Sequence, residues 1–125
     1  MFSHIMVGSN DIDRSKTFYD ATLGALGVPA APLDGGRLFY RHEGGALGVT
    51  KPINGEPATL GNGGTIGFNC TSPDLVEAWH AAGVANGGTT CEDPPGLRDF
   101  GAMKLYLAYL RDPDGNKLCA VHWMG

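Results

Sequence analysis

Several absences narrow what this 125-residue chain can be. The three cysteines, Cys70, Cys91 and Cys119, are odd in number and include no Cys-x-x-Cys pair. Neither a disulfide framework nor a four-thiolate zinc site is therefore expected, and Cys70 and Cys91 read as buried free thiols. Cations are few: nine Lys and Arg against 13 Asp and Glu, for a net charge of -4, and they are scattered. Nucleic-acid binding needs clustered cations to displace counterions from phosphates, so no nucleic-acid partner is expected. No apolar run approaches the ~20 residues of a membrane-spanning helix. Met1-Phe2-Ser3-His4 also lacks the basic start and apolar stretch of a secretory leader, so the expectation is a cytoplasmic protein without a membrane partner. What is abundant is glycine, at 20 residues, with eight prolines, which predicts many short elements joined by turns. A hydrophobic content of 42% is enough to bury a core in one domain.

The pattern along the chain repeats. Phe2 to Val7 reads as a short strand, and Asp11 caps a helix from Ile12 to about Leu26, with Ser15, Phe18, Tyr19, Thr22, Leu23 and Leu26 on its packing face. Thr65 to Cys70 reads as the equivalent strand. Thr71-Ser72-Pro73 then starts a helix to about Ala82, with Val76 and Trp79 in its buried stripe. Pairing His4 with Thr65 also pairs Asp11 with Ser72 and Phe18 with Trp79. Further on, Glu43-Gly44 pairs with Asp114-Gly115, Leu47 with Leu118, and Gly48 with Cys119, the greater spacing being absorbed by a longer second-half loop, Cys91 to Phe100. Each half ends in strands, Arg37 to His42 and Ala46 to Thr50 in the first, Met103 to Leu110 and Lys117 to Trp123 in the second. Glu43-Gly44-Gly45 and Asp114-Gly115-Asn116 serve as hairpin turns, and one further short strand is expected before each pair. The stretch Pro52 to Gly64, rich in Pro, Gly and Asn, contains the linker, residues 57–63, between modules 1–56 and 64–125 of one domain.

A duplicated βαβββ unit, an opening His-Ile-x-Val strand, Phe18-Tyr19 on the first helix and Arg-Asp-Pro-Asp-Gly-Asn before the last strand together resemble the vicinal oxygen chelate superfamily. That family includes glyoxalase I, bleomycin-resistance proteins and extradiol dioxygenases. The resemblance implies an α+β fold in which two βαβββ modules form an open cup-shaped sheet, in a chain that assembles as a homodimer. It also implies metal-ligand positions on the first and last strands of each module, here His4, Gly48, Thr65 and Cys119. Active members usually carry His, Glu or Gln at these positions, which leaves a divalent ion open to vicinal oxygens of the substrate.

His4 is an acceptable ligand and Cys119 is one only as thiolate, while Gly48 has no side chain and Thr65 offers a neutral hydroxyl. A degraded metal site is the expectation, with no cofactor, or a divalent metal ion such as zinc on His4 and Cys119 if there is one. The leading reading is a glyoxalase/bleomycin-resistance-like protein that binds a small organic molecule in the cup. Two alternatives stand beside it: a metal-dependent lyase or dioxygenase that uses His4 and Cys119, and a drug-sequestering resistance protein. His4 beside Cys119 is also the minimum for a thiolate–imidazolium nucleophile. Candidate ligand-binding residues are Tyr106, Tyr109, Arg98, Trp123 and Thr65. Tyr106 and Tyr109 are three apart on one strand, so only one of them can line the cup. If Cys119 points inward, Val121 and Trp123 share its face. Arg98 lies in the loop Pro94 to Asp99, where it presents a planar cation to an anionic ligand or pairs with Asp99.

Overall fold

Both helices start where a side chain can satisfy a free backbone N–H. In a computed structural model describing residues 1–125, α1 (Ile12–Gly24) follows Asp11, whose carboxylate accepts from the Arg14 N–H at 3.1 Å. Likewise α2 (Pro73–Ala85) follows Ser72, whose hydroxyl accepts from the Leu75 N–H at 3.3 Å. Helix α2 runs three residues beyond the expected end at Ala82. Gly83 packs against Leu110, Phe18 and Thr22 with no room for a Cβ, and the helix closes only when the Asn86 amide donates back to the Ala82 carbonyl at 2.8 Å.

The strands are β1 (His4–Gly8), β2 (Arg37–His42), β3 (Gly45–Thr50), β4 (Ile66–Asn69), β5 (Thr89–Thr90), β6 (Gly96–Asp99), β7 (Lys104–Arg111) and β8 (Lys117–Trp123). One sheet has the order β1-β3-β2, with β1 and β3 parallel. The other has the order β4-β8-β7, with β4 and β8 parallel and both β5 and β6 paired antiparallel to β7. The registers confirm the internal repeat, since Met6 lies opposite Gly48 in the first half and Gly67 opposite Cys119 in the second. The extra strand expected in each half forms as β6 in the second. In the first it is only an isolated bridge between Asp34 and Arg37. Residues 91–100, expected as a loop, thus contain a strand that pairs along β7. The architecture is α+β and open, and no ladder joins β1 to β4.

Strand alternation sends one set of side chains toward the helices. Leu38, Leu47 and Val49 from the first sheet and Leu110, Leu118 and Ala120 from the second meet Phe18, Tyr19, Val76 and Trp79 in one cluster of 17 buried residues. At roughly 1.5–3 kcal/mol per fully buried large apolar side chain, this shared core is what holds the halves together.

The Asp112 to Asn116 turn adds a polar clamp. Asp112 is buried, and its carboxylate accepts from Tyr19 Oη at 2.5 Å, from the N–H groups of Asp114 and Asn116 at 2.9 Å each, and from Asn116 Nδ2 at 2.8 Å. Asp114 reaches the start of α1, accepting from the Asn10 N–H at 2.9 Å, Arg14 Nη2 at 3.0 Å and Ser15 Oγ at 3.2 Å. Gly115 takes φ 93 to close the turn, a value that side-chain-bearing residues rarely adopt. The most recognisable motif of the sequence therefore ties the second module to the first helix of the other. No helix is long and apolar enough to cross a membrane.

Candidate functional site

The faces away from the helices carry the residues singled out from sequence. Across the first sheet one row reads Met6, Gly48, Phe39, and across the second the matching row reads Gly67, Cys119, Tyr109. A Cβ at Gly48 would overlap Met6 Sδ, and would lie 2.7 Å from Met6 Cε and 3.0 Å from Phe39 Cε1. The space of a ligating side chain is therefore filled by a thioether and a phenyl ring. A Cβ at Gly67 would lie 3.2 Å from Cys119 Sγ, so the glycine makes room for the thiol.

His4 is exposed and its Nδ1 shares a hydrogen bond with Ser3 Oγ at 2.7 Å. Thr65 is exposed just ahead of β4. Cys119 is buried, and removal from water, helped by the negative field of Glu92, pushes its thiol up to about 11 against the opposing effect of Lys117. At neutral pH, unless a metal cation stands beside it, it is a protonated thiol and a poor nucleophile. No hydrogen bond joins it to His4, whose ring partner is Ser3. Nowhere do three or more His, Cys, Asp or Glu side chains converge in a metal-binding group. The donor set does not fit a chelated divalent ion.

The two tyrosines separate as alternation requires. Tyr106 turns to the helix side, where its hydroxyl donates to Glu77 Oε1 at 2.7 Å, and it does not share the face of the other candidates. Tyr109 stands opposite Cys119, with Lys117 Nζ 5.1 Å from its ring centroid. Burial raises the Tyr109 phenol, reinforced by Cys119 and Glu92 and opposed by Lys117 and Arg98. Arg98 lies on β6 and makes no ion pair with Asp99; its Nη1 and Nη2 donate to the carbonyls of Gly96 at 3.1 Å and Asp93 at 3.0 Å. Trp123, opposite Leu105, is 58% exposed, so it does not close the core. Cys70 is buried as expected, but Cys91 is only half-buried, because it sits in the segment between β5 and β6 at the sheet margin.

One element has no counterpart in the sequence reading. Between the β1 and β4 edges lies an open groove of about 420 Å³, walled by Ile5, Leu23, Leu26, Leu47, Ile66 and Phe68, with His4 and Asn69 among its polar groups. It exists because the two strands face each other without hydrogen bonds, and no local periodicity reports that gap. Gly67 lines it too, so the groove borders the Cys119 row.

The sequence matches the model of the Glyoxalase/Bleomycin resistance protein/Dioxygenase superfamily over residues 1–120. No curated protein matches it. Among solved structures, a glyoxalase/bleomycin resistance protein from Albidiferax ferrireducens T118 is 62% identical with a TM-score of 0.94, the match covering 98% of this chain and 98% of that one. A glyoxalase-related enzyme from Fulvimarina pelagi is 20% identical at a TM-score of 0.74, covering 98% of this chain and 87% of its own. The lactoylglutathione lyase from Agrobacterium tumefaciens is 20% identical at 0.67, covering 98% and 92%. These last two likenesses are of fold alone.

Proposed function

The chain belongs to the Glyoxalase/Bleomycin resistance protein/Dioxygenase superfamily, and from that premise we propose that it binds a small organic molecule without a chelated metal ion. The observation that carries this reading is the state of the four ligand positions. One is filled by Met6 and Phe39, one is a lone buried thiol, one is a neutral exposed hydroxyl, and only His4 keeps a ready donor. Metal-dependent lyase or dioxygenase chemistry needs several fixed N or O ligands and open positions on the ion. A binding site needs only an apolar recess with a few polar groups, which the groove beside Gly67 supplies.

The test is metal analysis of protein purified without chelator, with thermal melting in the presence of Mn²⁺, Fe²⁺, Ni²⁺ and Zn²⁺. Less than about 0.1 equivalent retained, with melting curves unaffected by His4→Ala, is the expected result. One tight equivalent that disappears in His4→Ala would overturn the reading in favour of the metal enzyme. A ligand recovered chemically unaltered supports binding or sequestration, and turnover excludes both.

The shared core supports treating modules 1–56 and 64–125 as one domain joined by residues 57–63. The unpaired outer edge of β2 supports a homodimer, which light scattering measures directly.

A further inference from the structure

On the helix-free face of the second sheet, three cations share a face with one phenol, one of them, Arg111, donating to the Gly115 carbonyl at 2.8 Å. Arg111 shares the face of Tyr109, and Lys117 pairs opposite Arg111. Lys117 lies over the Tyr109 ring and is paired with Glu92. Arg98 joins them from β6. It lies opposite Leu105, and its guanidinium folds back over Gly96, with Nη1 3.6 Å from where a Cβ of that residue would be. Gly96 pairs with Leu107, so the fold-back carries the guanidinium along the strand toward Tyr109. Glu92 is the one carboxylate paired with any of these three cations, in a chain whose net charge is -4. Of the ion pairs in the protein none involves Arg98, which is held only by two backbone carbonyls. Those bonds fix the orientation of the planar fork without neutralising its charge.

Tyr109 is singular in the same way. Of the four tyrosines, Tyr19, Tyr40 and Tyr106 each donate to a carboxylate, from Asp112, Asp20 and Glu77. The Tyr109 hydroxyl has no partner in the chain. A charged donor held in place and a neutral donor left free thus share a face with Leu107, Val121 and Trp123.

We propose that this face is an oxyanion site that receives the carboxylate of an organic ligand, with Arg98 supplying the charge, Tyr109 a second donor, and Leu107, Val121 and Trp123 the surface for the ligand's apolar body. A guanidinium and a phenol on one face are donors of the kind that a carboxylate accepts. None of these residues lines the groove between β1 and β4, so the face is a second place on the chain; the proposal rests only on the reading that the chain binds a small organic molecule, and it names the chemical class.

The experiment titrates the full chain with 2-naphthoate and with its neutral isostere 2-naphthamide by calorimetry. Naphthoate is expected to bind about tenfold tighter or more, the scale of one charge-assisted hydrogen-bonded pair. Arg98→Gln erases the preference, Arg98→Lys keeps part of it, and Tyr109→Phe reduces it by about threefold. Equal binding of the two probes, or a preference that survives Arg98→Gln, overturns the oxyanion site and leaves the small-molecule reading standing. Absence of binding by either probe overturns this assignment of the face altogether, whereas the metal experiment tests the reading beneath it separately.

Discussion

Replacing Asp112 with alanine removes a buried carboxylate that accepts four hydrogen bonds, from Tyr19 Oη, Asn116 Nδ2 and two turn N–H groups. Tyr19 is fully buried, so its hydroxyl is left without an acceptor. A buried polar group stranded in this way costs about 1–3 kcal/mol, and bonds to a charged acceptor contribute about 1.5–3 kcal/mol each. The turn N–H groups lie near the surface and regain water, which returns part of that loss. The net expectation for Asp112→Ala is about 3–4 kcal/mol of destabilisation. Tyr19→Phe removes one donor from a carboxylate that keeps three, so it should cost about 1.5–2 kcal/mol. Because the two changes break the same bond, the double variant should fall short of the sum by about 1–2 kcal/mol. Urea unfolding with equal slopes for all four proteins measures this directly. An Asp112→Ala cost below about 1 kcal/mol, or strict additivity with Tyr19→Phe, refutes the claim that the signature turn clamps the halves together.

Two glycine substitutions should differ although both crowd a neighbour. Gly83→Ala drives into Leu110 inside the shared core and should cost about 1–3 kcal/mol, whereas Gly48→Ala meets the end of partly exposed Met6, which can swing away for less than about 1 kcal/mol; urea midpoints compare them. With its thiol at about 11, Cys119 is about one part in a thousand thiolate at pH 8, so its alkylation by iodoacetamide, followed by peptide mass spectrometry, should rise about tenfold per pH unit up to pH 10. A plateau near pH 9 would contradict the burial argument. The fold favours the neutral thiol over the unfolded chain's ordinary value of 9.0, so this group's contribution to stability falls as pH rises from about 9 to about 11, and Cys119→Ala should lack that part of the decline in unfolding free energy with pH. Ser72→Ala should cost about 1 kcal/mol by removing the acceptor for the Leu75 N–H, measured by the same unfolding assay.

Local chemistry made much of the fold legible. Asp11 and Ser72 announce the helix starts because a capping oxygen must precede the helix it caps. The separation of Tyr106 from Tyr109 follows from the two-residue period of a strand, and the internal repeat survives as matched registers. The long-range features were not legible. Arg98 belongs to β6 because β7 offers it an edge, and nothing within residues 91–100 signals that edge. The turn Asp112 to Asn116 announces itself as a turn, but its partner Tyr19 is 93 residues away, and no periodicity spans such a distance. The groove between β1 and β4 is a gap between elements, so it leaves no pattern in either strand.

The paired rows Met6–Gly48 and Gly67–Cys119 act as a seesaw. In the first half the sulfur side chain stands on the opening strand and the glycine on the closing one, and in the second half the order is reversed. Each pair has room for one substantial side chain. A carboxylate placed at position 48 would have to displace Met6, and a side chain built at position 67 would press on Cys119. The two halves therefore tolerate growth at different strands: the first sheet only as Met6 gives way, the second only as Cys119 does.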